Sequence, residues 1–163
     1  MTLVEPTLPA PMPPSTIDFA AVFAAQAEQA AREAQLRPAN KDRLFDALTA
    51  AGISHVTVTF DGEGDSGQIE RIDIGAREGT TPPPLDRIEV ACTTWENPKI
   101  ERQTQTVEEA VETLVYDLLR QTHCGWEIND GAYGEFAFDV AERTIKLDYN
   151  ERYTSSEHYS HEF

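Results

Sequence analysis

From Val107 to Leu119 the apolar residues recur at helical spacing: Val107, Ala110, Val111, Leu114, Val115, Leu118 and Leu119 make one continuous stripe. Thr106 and Glu109 form a capping box ahead of it and Gly125 supplies a stop, so the spacing predicts an amphipathic helix between them. Immediately afterwards the period changes to two. Phe136, Phe138 and Val140 alternate with Glu135, Ala137 and Asp139, and a return strand sets Ile145, Leu147 and Tyr149 against Thr144, Lys146 and Asp148. A helix and a hairpin that are each apolar on one face cover one another.

The same patterning organises the chain upstream. Ser15 to Leu36 is predicted as a helix, with Ser15 and Asp18 at its cap and Phe19, Phe23, Ala27, Ala30 and Ala34 on one face. Pro38 is expected to end it. An alanine-rich helix buries little area per residue, so it needs a close neighbour, either in its own domain or in a second copy forming a homodimer. Asn40 opens a second predicted helix, with Leu44, Phe45, Ala47, Leu48 and Ala51 inward and Gly52 as terminator. Ile53 to Phe60 alternates as a strand, with Val56, Val58 and Phe60 on one face. The loop Asp61 to Gly67 returns it into Gln68 to Ile74, where Ile69 and either Ile72 or Ile74 face inward. Gly79 to Pro84 is read as a surface loop, Arg87 to Thr93 as a third strand and Trp95 to Gln105 as irregular.

The resulting order is α-α-β-β-β-α-β-β, without the βαβ spacing of a dinucleotide crossover. The expected class is α+β: a mainly antiparallel sheet of about five strands with helices on one face. Residues 1–14 hold five prolines and are read as a flexible arm, residues 15–153 as a single domain and residues 154–163 as a polar tail.

Charge changes the picture more than size does. The chain has 163 residues and a net charge of −16, and residues 104–163 alone carry 13 acids against 4 bases. Such a field repels phosphate and anionic lipid, which argues against direct nucleic-acid or membrane contact. It suits a basic protein surface, including one built to bind nucleic acid; solubility alone is the other reading. No apolar run approaches the ~20 residues of a membrane span, no signal peptide opens the chain, and Cys92 and Cys124 make no disulfide framework. A cytoplasmic setting is the expectation.

Three groups of side chains invite chemistry. Asp61, Glu63 and Asp65 alternate in a glycine-rich loop like half of a calcium loop, though Ile72 stands where an EF-hand needs Glu. His158 and His161 would share a face for zinc if their segment were helical. Trp126, Glu127, Asp130 and Tyr133, with Glu135, Asp139 and Asp148 of the hairpin, combine aromatic rings with carboxylates, as recognition of an Arg- or Lys-rich partner requires. Trp126 and Tyr133 could equally close the core. His123 beside Cys124 suggests a thiol–imidazole pair, but a helix C-terminus disfavours the thiolate. No P-loop, HExxH, GxSxG or CxxC pattern occurs, and no catalytic residue or cofactor is assigned.

The stretches Gly62-Glu-Gly-Asp-Ser-Gly67, Gly125-Trp-Glu-Ile-Asn-Asp-Gly-Ala-Tyr-Gly134 and Arg143 to Asn150 resemble an uncharacterised bacterial family, a domain of unknown function carried on plasmids and mobile elements. The resemblance covers roughly residues 40 to 163. It implies no activity, and as context it implies an inhibitor of a host defence nuclease. The expectation is therefore an acidic interaction module that binds a basic protein surface, in its sharpest form as a nucleic-acid mimic. The alternative is a metal-dependent enzyme or regulator using the turn carboxylates or the C-terminal histidines.

Overall fold

The computed structural model describes residues 17–76, 78, 87–97 and 99–163. Among them the elements run α1 (Phe19–Ala50), β1 (Ile53–Glu63), β2 (Ser66–Ala76), β3 (Ile88–Cys92), β4 (Glu101–Gln105), α2 (Val107–Thr122), β5 (Ala132–Asp139) and β6 (Thr144–Glu151). β2-β1-β5-β6 make a four-stranded antiparallel sheet, and β3 with β4 a separate two-stranded ribbon. The class is α+β, mainly antiparallel, with both helices on one side of the larger sheet. The expected arm of residues 1–14, the capping role of Ser15 and the loop from Gly79 to Pro84 lie outside the described residues.

The α2 boundaries follow their caps. Glu109 N–H donates to Thr106 Oγ1 at 3.2 Å, and Thr106 N–H donates to Glu109 Oε2 at 2.8 Å. The stripe of α2 then meets Val56, Val58 and Phe60 of β1 and Phe136 and Phe138 of β5 in one buried core, joined by Leu44, Phe45 and Leu48 of α1. Tyr116 closes an edge: its hydroxyl accepts from Ile69 N–H of β2 at 3.1 Å. The phase of β2 is settled by a bulge, because Arg71 pairs with Thr59 and Ile69 with Phe60, leaving Glu70 over. Ile69, Ile72 and Ile74 therefore all pack against the core.

Pro38 does not end α1. The two expected N-terminal helices are one helix of 32 residues, about 48 Å long. Pro38 has no N–H for the carbonyl of Ala34, and its ring crowds that carbonyl, at a cost of about 3 kcal/mol. Contacts on both sides hold the helix together. Arg37 donates to Asp117 of α2. Asn40 pairs with β3 as a neighbouring strand would: its Nδ2 donates to the Ala91 carbonyl at 2.7 Å, and Ala91 N–H donates to its Oδ1 at 2.8 Å. Gln29 donates to the Thr93 carbonyl and Arg43 to that of Glu89, so α1 covers the free edge of the ribbon. Asn40 thus spends its amide on a strand edge rather than on a helix start.

The stretch expected to be irregular before α2 ends in β4, which pairs with β3 from Cys92↔Glu101 to Ile88↔Gln105. Its first four residues are exposed, so neither face shows an apolar alternation.

Candidate functional site

The two glycine-rich motifs meet at one end of the larger sheet. Gly64 and Asp65, with φ of 60° and 73°, make the two-residue turn between β1 and β2. Gly64 N–H donates to the Asn129 carbonyl at 2.9 Å and Asp65 N–H to the Glu127 carbonyl at 3.1 Å, which ties the hairpin tip to the turn after α2. Trp126 lies across the cross-strand partners Gly62 and Gly67: a Cβ on Gly62 would stand 2.6 Å from Trp126 Cζ3. Its indole also meets the Phe60 ring edge-on at 5.4 Å. Trp126 is 8% exposed, so it completes the core and offers no docking surface. Close packing under the indole is the reason Gly62 and Gly67 are glycine.

Among the described residues no helix lies on the opposite face of the sheet. Alternation aims Tyr133, Glu135, Ala137 and Asp139 of β5 outward, beside Asn150, Asp148, Lys146 and Thr144 of β6. Glu135 and Asp148 stand directly opposite each other, and neither forms an ion pair with any described residue. Like charges in that position destabilise a sheet. Tyr133 is 44% exposed, with the Arg152 guanidinium 4.6 Å from its ring centre. Asp139 accepts from Glu142 N–H at 3.0 Å.

The remaining expected residues have other commitments. Asp130 accepts from the Thr154 hydroxyl at 3.0 Å. Glu127 is half-buried, and its Oε2 has no hydrogen-bond partner among the described residues. Asp61 is held by Arg152 through bonds of 2.7 and 3.2 Å, while Glu63 and Asp65 are exposed. His158 and His161 are exposed in a segment without helix, so the shared helical face for zinc does not form. Among the described residues no three His, Cys, Asp or Glu side chains gather as a metal ion would require. His123 caps α2 and stacks on Tyr149 at 3.6 Å, while Cys124 is exposed. Burial, with the Glu151 and Glu127 carboxylates, pushes the Tyr149 phenol above its ordinary range.

Two features carry no local sequence signal. One is the Arg152 bridge between Asp61 and Tyr133, which joins residues far apart in the chain. The other is an ion-pair network in which Asp117 accepts from Arg37 and, at 2.8 Å, from Arg120, which reaches on to Glu33 at 3.1 Å. Burial alone would raise the Asp117 carboxyl, but the two guanidiniums outweigh it and hold it below the usual carboxylate range.

Among the described residues no helix is long and apolar enough to cross a membrane. No curated protein and no solved structure matches the chain. A family model described as a family of unknown function (DUF6878) matches residues 36–163, from within α1 through both glycine-rich turns to the last residue. The chain belongs to that family.

Proposed function

We propose that this protein is an acidic interaction module whose helix-free sheet face docks on a basic protein surface. The observation that carries the proposal is the opposed Glu135–Asp148 pair. It stands in the open, with Lys146 diagonal to it but no ion pair to any described residue, and opposed like charges cost stability in the isolated chain. A lysine or arginine from a partner turns that repulsion into attraction, and the exposed Tyr133 ring adds apolar area and a cation–π surface. The docking set is thus Tyr133, Glu135, Asp139 and Asp148. Glu108, Glu109 and Glu112 are exposed on α2, on the far side of the sheet, and form a separate acidic surface.

Nucleic-acid-binding proteins carry dense basic surfaces, which makes them the favoured partner class and nucleic-acid mimicry the sharpest form of the proposal. The test compares capture from host lysate by the wild type and by E135K/D148K. Lys opposite Lys repeats the like-charge cost and Lys146 beside them adds to it, so the variant keeps the wild-type fold at a cost of about 0.5–1 kcal/mol. A protein captured by the wild type, lost by the variant, displaced by duplex DNA and released steeply by salt is the expected result. Capture that ignores both the reversal and the salt would sink the proposal.

A second surface suits a second copy of the chain. Phe19, Val22 and Phe23 lie exposed at helical spacing on α1, within a stretch from Phe19 to Ala27 that carries no charge. That is where two strongly acidic chains approach with least repulsion. Light scattering should give a dimer mass for the wild type and a monomer mass for F19S/F23S; a monomer in both rejects self-association.

A further inference from the structure

Between α1, α2 and the β3–β4 ribbon lies a half-open cavity of about 440 Å³, within the size range of small-molecule sites. It shares no residue with the docking face. Leu36 and Leu44 of α1, Val90 of β3 and Ala110 and Leu114 of α2 give it an apolar body. Its charged groups cancel: Arg37 and Arg120 face Glu33 and Asp117, and the four are bonded to one another. Cys92 adds a half-buried free thiol to the wall. One polar atom is left over. Gln105 belongs to the lining, and its Oε1 is buried and accepts no hydrogen bond from any described residue.

We infer that this cavity binds a small, neutral, mainly apolar molecule whose N–H or O–H group donates to Gln105 Oε1. The apolar walls favour burial of an apolar body. The paired charges leave no net charge for an ionic ligand to neutralise, and burying an unpaired charge there is costly. A buried acceptor without a donor is a standing penalty that a ligand donor removes. The reading is independent of the proposed docking face, and either can fail alone.

Indole and indene are the probes, since they share a shape and differ in the N–H. In the full chain carrying C124S, calorimetry should give saturable indole binding, and bound indole should slow alkylation of Cys92. Indene should bind roughly five-fold more weakly, the worth of one net hydrogen bond. Gln105→Leu should erase the difference between the probes, and Ala110→Leu, which fills the space, should abolish binding of both. Circular dichroism and melting of each variant separate lost binding from lost fold. Absence of saturable binding by either probe at millimolar concentration would overturn the inference. So would equal affinity of the two in the wild type, or indole binding that survives Ala110→Leu in a folded protein.

Discussion

Gly131→Ala should lower the free energy of unfolding by about 3–5 kcal/mol, enough to unfold much of a marginally stable domain. Two costs combine. Gly131 has a φ of +73°, where a side chain alone costs about 1–2 kcal/mol. An added Cβ would also fall 1.7 Å from the carbonyl oxygen of Gly62, a backbone atom that cannot swing aside. Moving it would disturb the stretch of β1 on which Trp126 lies. Gly64→Ala is the matched control, because its φ of +60° is similar but no atom of the described residues lies within 4 Å of the added Cβ. It should cost only about 1–2 kcal/mol. Urea titration followed by tryptophan fluorescence measures both. Equal losses would mean that the approach of Gly131 to Gly62 contributes nothing to the fold.

That contrast also explains how the sequence misdirects at this end of the molecule. Gly62, Gly67 and Gly131 are distinctive because indole and backbone need their space, and a motif made by packing looks the same in sequence as one made by function. Trp126 is a case in point: an aromatic among carboxylates suits a docking face, and the structure buries it on two glycines. The faces of β1, β5, β6 and α2 were legible because each buries one side only, so apolar alternation reports orientation directly. β2 was half legible, since an inserted Glu70 shifts the period in mid-strand. β4 was invisible because it buries almost nothing. The local cost of Pro38 predicts a break, whereas Arg37 and Asn40 beside it reach α2 and β3 and override that cost. Of the candidate site, Glu135, Asp139 and Asp148 were legible as outward residues. Their register, which sets Glu135 against Asp148, needed the structure, as did the cavity walled by segments distant in sequence.

Asp117→Asn should destabilise the protein by about 2–4 kcal/mol, less than a fully buried pair because Arg120 is largely exposed. The substitution keeps the shape of the side chain and removes its charge. Arg37, whose side chain is 16% exposed, then loses its counter-charge, and the two guanidiniums face each other across a neutral amide. The pH dependence separates this from a packing effect. The folded-state pKa of Asp117 lies below the unfolded value of about 3.9, so as pH falls the unfolded chain binds the proton first and the folded chain only at lower pH. Its contribution is therefore complete above about pH 4 and lost as pH falls through the depressed folded value. Wild type and variant should differ by the full amount at pH 7, begin to converge below about pH 4, and meet only below the depressed folded value, where the wild-type carboxyl is neutral too. A gap between the two urea-unfolding curves that stayed constant from neutral pH into acid would assign the loss to shape rather than charge. The bridge from α1 to α2 beside Pro38 would then have to be held by something other than Asp117.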